Sequence, residues 1–188
     1  MMNTMKQIVM TLVLITLVGC GSASLQEHSQ IKPELKLEQF FDGELVAYGM
    51  VLDRSGNLLR RFDVKLVGSW QGNKGELKEW FVFDDGETST RTWYLEKTAE
   101  NNYIGTASDV IGTAKGETSG SALYWRYQME IEVDSTTYQV TLDDWMFLMD
   151  EHRLFNKTEM SKFGFKVGEL ILYIEKRHAS NEHLFASK

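Results

Sequence analysis

The sequence predicts an all-β protein: one antiparallel, up-and-down barrel of about eight strands, with a β-sandwich as the alternative arrangement. Three observations lead there. From Gly43 onwards the chain breaks into short runs in which apolar and polar residues alternate, the period of a half-buried strand. The runs are separated by turn residues, as in Arg54-Ser55-Gly56-Asn57, Gln71-Gly72-Asn73-Lys74-Gly75, Asp84-Asp85-Gly86, Glu100-Asn101-Asn102 and Asp134-Ser135. A single proline beside 5 tryptophans, 7 tyrosines and 10 phenylalanines suits pleated, aromatic-rich sheet.

Taken in order, the chain opens with an address. Lys6 supplies a positive n-region and Ile8 to Val18 an apolar h-region too short for an ordinary membrane-spanning helix. Leu17-Val18-Gly19-Cys20 then follows the pattern of a bacterial lipobox. Residues 1–19 read as a lipoprotein signal peptide. Cys20 reads as the lipidated residue, since the only cysteine of the chain has no partner for a disulfide. Gly21-Ser22 after the cysteine, rather than an aspartate, is the sorting pattern for the outer membrane of a Gram-negative host, which places the protein on its periplasmic face. Residues 20–40 are expected to be lipidated N-terminus and linker, because Ser22 to Lys36 is polar and holds Pro33. Residues 41–177 are the barrel domain and 178–188 a polar tail. Loss of Lys6 with the leader moves the net charge from -7 to -8, so the chain should repel nucleic acid and owe its membrane attachment to the lipid.

The expected strands are Glu44 to Leu52, Leu58 to Trp70, Leu77 to Phe83, Glu87 to Lys97, Tyr103 to Ser108, Ala122 to Val133, Thr136 to Met149 and Glu169 to Lys176. Short links make sequence neighbours into hairpins, and closure of such a meander removes its unpaired edges. Asp109 to Gly116 has glycines without Walker spacing or a dinucleotide fingerprint, and reads as a loop over the barrel mouth. Asn156 to Lys162 reads as a helical turn or two. Asn156-Lys157-Thr158 matches a glycosylation sequon by coincidence.

Alternation places the charged residues. With Asp134-Ser135 as a two-residue loop, Val133 opposes Thr136, Ile131 opposes Tyr138, Met129 opposes Val140 and Tyr127 opposes Leu142. The same count sets Asp143 outside, opposite Arg126, and Asp144 inside, opposite Trp125. Adjacent strand residues face opposite ways, so Asp143 and Asp144 do not form a proton-sharing dyad. Asp84-Asp85-Gly86 as a three-residue loop pairs Glu79 with Arg91. Arg60 shares parity with Phe62, Val64 and Leu66. The expected interior therefore holds Arg60, Glu79, Arg91 and Asp144 among Phe81, Trp93, Trp125 and Tyr127. A few polar groups in an aromatic cavity fit a small-molecule site, and they equally fit a closed core with buried ion pairs.

"FDDGETSTRTW", "YIGTASDVIGTAKGETSGSALYW" and "DDWMFLMDEHRLFNKTEMSKFGFKVGE" resemble the signature stretches of a family of uncharacterised proteobacterial lipoproteins, over most of residues 40–176. The resemblance implies no established activity; genes of that family lie near genes of fatty-acid modification, such as cyclopropane-fatty-acid synthesis, which implies lipid. Strand count and interior arginines also resemble the lipocalin and fatty-acid-binding barrels, although no lipocalin G-x-W stands at the start. The resulting expectation is a tethered, lipocalin-like binding protein for a lipid or other acidic amphiphile, with arginine on its carboxylate or phosphate. An interaction lipoprotein that docks a protein partner is the alternative, and an enzyme using Asp144 or His152 a third. Of four histidines, His28 lies in the linker and His178 and His183 in the tail. No metal-ligand cluster, catalytic triad or cofactor motif is recognisable, so no cofactor is expected.

Overall fold

A computed structural model describes residues 24–133 and 136–177. Ten strands follow one another as hairpins and close into a barrel in which every neighbour is antiparallel: β1 (Gly43–Asp53), β2 (Leu58–Gln71), β3 (Lys74–Phe83), β4 (Thr88–Ala99), β5 (Asn102–Thr106), β6 (Val110–Ser119), β7 (Ala122–Val133), β8 (Thr136–Leu148), β9 (Arg153–Lys162) and β10 (Phe165–Lys176). β1 pairs with both β2 and β10, and this last pairing closes the circle.

The expected strand count is thus corrected from about eight to ten, and the sandwich alternative is excluded by closure. Both additional strands come from segments in which several inward residues are small or polar, although β9 also buries Leu154 and turns Met160 to the cavity. The stretch read as a mouth-covering loop is β6, which turns Ala114, Gly116 and Thr118 inwards. There Gly116 is required by its neighbour, because a Cβ would lie 1.5 Å from the ring of Trp125. The stretch read as helical is part of β9, which points Asn156 and Thr158 into the barrel and Phe155 out of it, inverting the usual pattern.

The segment expected as a linker is packed against the barrel from Ser24 onwards. After a 3₁₀ turn at Leu25–His28, Leu35 donates its backbone N–H to the carbonyl of Gly120 at 2.8 Å, and a single helical turn, Leu37–Phe40, crosses one end of the barrel. Leu35, Leu37, Phe40 and Phe41 are all buried there. Polar contacts fix the crossing at both sides. Glu38 accepts from Lys97 Nζ at 2.6 Å and from the Tyr103 hydroxyl at 2.7 Å, and Lys176 Nζ donates to the carbonyl of Gln39 at 2.7 Å. This end is plugged. Among the described residues no element crosses the opposite end, where the β1–β2, β3–β4, β5–β6 and β9–β10 connections lie.

Candidate functional site

The barrel interior holds a cavity of about 320 Å³ that runs from Leu37 and Phe41 of the plug to the level of Phe83, Ile131 and Met160 near the unplugged end. Its aromatic wall is built by β4 and β7. Trp93 meets Trp125 edge-on at 6.2 Å and Tyr127 at 5.4 Å between ring centroids. On the adjoining β2 and β3, Phe62 packs 5.8 Å from Phe81. These rings point inwards because strand alternation puts positions 91, 93 and 95, and 123, 125, 127 and 129, on one face.

Into this apolar wall the sheet inserts a small charged cluster. The β3–β4 register pairs Glu79 with Arg91, as the turn at Asp84-Asp85-Gly86 requires, and Phe83 N–H donates to Glu87 O across that turn at 2.9 Å. Arg91 Nη1 lies 4.0 Å from a Glu79 oxygen, and Nη2 lies 2.7 Å from Asp109 Oδ2. Across the cavity, Asp144 is 5 % exposed and accepts a hydrogen bond from Asn156, which also donates to the carbonyl of Trp145 at 3.0 Å. Arg91 Nε, Glu79 Oε2 and Asp109 Oδ1 are buried without a hydrogen-bond partner among the described residues.

One guanidinium therefore serves three carboxylates, and the proton affinities show the strain of that imbalance. Burial pushes the Glu79 carboxyl up to about 7; Arg91 opposes this, while Asp109 and Asp144 add to it. Burial raises Asp144 to about 6, against hydrogen bonds from Asn156, Thr158 and Tyr127 that favour its charged form. Burial also holds the Tyr127 hydroxyl well above its ordinary value, so it is a neutral donor. For Arg91 burial works against the charge, but Glu79 and Asp109 outweigh it and keep the guanidinium protonated.

Of the residues expected to face the interior, Glu79, Phe81, Arg91, Trp93, Trp125, Tyr127 and Asp144 all line the cavity. Arg60 does not. It sits near the start of β2 at the unplugged rim, where Nη2 pairs with Asp85 at 2.8 Å and Glu87 at 2.6 Å and the guanidinium lies 3.6 Å over the ring of Phe83. Strand parity identified its face but not its height, so the expected place of Arg60 in the interior beside Glu79 and Asp144 is corrected. Asp109, Asn156 and Thr158 were absent from the expected set. Asp109 precedes a strand mistaken for a loop, and Asn156 and Thr158 lie on a strand mistaken for helix; the polar alternation of "NKTEM" was their available signal. Asp143 lies outside and is bonded to Arg126 at 2.5 Å and to the Tyr124 hydroxyl. His152 belongs to the β8–β9 connection at the plugged end, apart from the cavity, so it and Asp144 do not share a site. Cys20, His178 and His183 lie outside the described residues. Among the described residues no group of three or more His, Cys, Asp or Glu side chains is placed to hold a metal ion.

A closed meander of antiparallel strands around one aromatic cavity with few polar groups is a lipocalin-like barrel. In agreement, the S-type phycobiliprotein lyase of Guillardia theta superposes on the fold with a TM-score of 0.56 at 7 % identity, over 84 % of this chain and 99 % of that one. The chain belongs to the family described as "Protein of unknown function (DUF3833)", which matches residues 14–176. No curated protein matches it.

Proposed function

We propose that this protein is a membrane-tethered binder of an acidic, single-chain amphiphile, held inside the barrel with its headgroup on Arg91. The observation that carries this reading is the cavity itself: an aromatic space with one guanidinium near mid-height and no competing cation among its lining residues. A volume of about 320 Å³ lies at the low end of the ~300–1,000 Å³ range of small-molecule sites, which favours one slender chain over a two-chain phospholipid. Trp93, Trp125 and Phe81 would cover the tail.

Charge sets a condition on the headgroup. Arg91 already faces Asp109 and Glu79, so an incoming carboxylate or phosphate must compete with them for its planar donors. Glu79, with a carboxyl near pH 7, is the group that can yield by taking a proton. Anionic ligands should therefore bind more tightly as pH falls through about 7, where protonated Glu79 no longer claims the guanidinium. The lipobox ending at Cys20 supports the tether, and with it a place on the periplasmic face of an outer membrane.

The test is titration with dodecanoate followed through tryptophan fluorescence. Arg91→Gln should weaken binding at least about tenfold, as expected for losing a charge-assisted pair. Glu79→Gln should keep binding and flatten its dependence between about pH 6 and 8. Equal affinity in wild type and folded Arg91→Gln would overturn the headgroup assignment.

A further inference from the structure

We propose that the unplugged end of the barrel docks on an anionic lipid bilayer through the tip of the β9–β10 hairpin, Lys162-Phe163-Gly164-Phe165-Lys166. Lys162 and Phe165 face each other across a two-residue turn in which both Phe163 (φ 53°) and Gly164 (φ 80°) have left-handed backbones. That is a type I′ turn, whose first position favours Asn, Asp or Gly. Phenylalanine there carries a conformational cost and gains no burial, since it is 90 % exposed, and Phe165 beside it is 76 % exposed. Within the fold, and among the described residues, the Phe163 ring meets only Lys162 Nζ, 5.5 Å from its centre.

Their surroundings extend the patch along one half of the rim. Tyr138 at the start of β8 lies under Lys162 Nζ at 4.0 Å from its ring centre, and Val167 follows on β10. Beyond it, the β1–β2 connection leads to Leu58 and Leu59, which are 53 % and 64 % exposed. The charges of this half are complementary to lipid headgroups although the chain as a whole is acidic at -7. Lys162, Lys166 and the exposed Arg54 stand among the apolar residues. Of the nearby carboxylates, Glu169 is matched by Lys157 at 3.1 Å and Lys166 at 3.0 Å and Asp53 is spent on the backbone N–H groups of Ser55 and Asn57, while exposed Glu159, opposite Glu169, and exposed Glu132 on β7 lie further from the tip and offset part of the positive charge. On the other half, Asp84, Asp85 and Asp109 pair with Arg61, Arg60 and Arg91. Exposed aromatic rings between lysines are what enters the boundary between headgroups and acyl chains. If the ligand reading above holds, this contact would present the mouth of the cavity to the lipid from which a single-chain amphiphile is drawn.

The test uses the chain with Cys20→Ser, carrying a nitroxide at Phe163→Cys or, at the plugged end, at Glu151→Cys. With vesicles of phosphatidylcholine and phosphatidylglycerol, the label at 163 should become accessible to dissolved oxygen and shielded from a water-soluble nickel complex, while the label at 151 stays in water. Adding Phe165→Ser with Lys162→Glu should reduce the inserted fraction at least about tenfold, with the barrel unaffected because both side chains lie at the rim. Arg91→Gln should leave the depth at 163 unchanged, which separates failure of docking from failure of ligand binding. A label at 163 that remains in water beside vesicles overturns the proposal, as does shielding that is equal without vesicles and grows with protein concentration, which would assign the patch to a second copy of the chain.

Discussion

Two pairs of phenylalanines mark the two ends of this barrel. At one end Phe40 and Phe41 are 4 % and 3 % exposed, stacked edge-on at 5.0 Å and drawn into the core by a segment that precedes the first strand. At the other, Phe163 and Phe165 stand in solvent on a turn that disfavours the first of them. A barrel of this kind has no edges to protect, so its vulnerable places are its two open ends. Here the chain spends its own N-terminal residues on sealing one and leaves the other for something else. At the two ends of this barrel, then, the role of a phenylalanine pair depends on which end it occupies.

The largest expected effect comes from breaking the sealed end. Phe41→Ala should destabilise the protein by about 3–5 kcal/mol, because it removes a ring that both fills the plug and forms the cavity floor. Urea unfolding measures it, and a change under about 1 kcal/mol would mean that the plug is not integral to the fold.

Next in size is the effect of pH on the buried acids between the two ends. Glu79 rises from 4.5 to about 7 and Asp144 from 3.8 to about 6, so between roughly pH 4 and 7 the folded state binds more protons than the unfolded one. Their contribution favours the fold at low pH and is lost as pH rises through those folded values. Together they should make the protein more stable near pH 5 than near pH 8 by a few kcal/mol at most. Exposed Asp150, held at about 2 mainly by Arg153, acts in the opposite sense but only below that window. Thermal unfolding across this range should show the slope, and Glu79→Gln should reduce it; a melting temperature that increases steadily to pH 8 would contradict the burial of these acids.

The adjacent aspartates offer a smaller and sharper comparison. Asp144→Ala strands the Asn156 and Tyr127 donors but also relieves a crowded negative cluster, so its cost should be about 1–3 kcal/mol, less than removal of a partner from an isolated buried ion pair. Asp143→Ala, on the outer face with Arg126, should cost under about 1 kcal/mol. Equal losses would mean that Asp144 is wetter than its position implies. Smallest of all is Phe163→Asn, which installs the Asn-Gly sequence that a type I′ turn prefers; stability should hold within about 0.5 kcal/mol or rise slightly. A loss larger than that would show that the contact of the ring with Lys162 is structural.

The β7–β8 hairpin and the Glu79–Arg91 pair were legible in the sequence because each is fixed by a short turn and continuous alternation, and the whole predicted register from Val133↔Thr136 to Trp125↔Asp144 stands in the structure. What was not legible follows from two limits of the same rule. Alternation reports which face a side chain takes, not how deep it lies, and so Arg60 was drawn from the rim into the cavity. It also reports faces only when inward residues are apolar. Gly116 is small because Trp125 fills its space, and Asn156 and Thr158 are polar beside Asp144, which accepts their hydrogen bonds; both strands were therefore hidden by the demands of their neighbours. The packing of Leu35 to Phe41 across an end depends on contacts with strands far along the chain, such as Glu38 with Lys97, which local composition does not encode.

The central claim, an acidic single-chain ligand inside the barrel on Arg91, is tested most directly by nuclear magnetic resonance of dodecanoate labelled with carbon-13 at its carboxyl. A separate protein-bound carboxyl signal should saturate at one ligand per chain, stay ionised at pH values where the free acid has begun to protonate, and be lost in folded Arg91→Gln. The absence of any bound signal in the wild type, or an unchanged bound signal in Arg91→Gln, would contradict it.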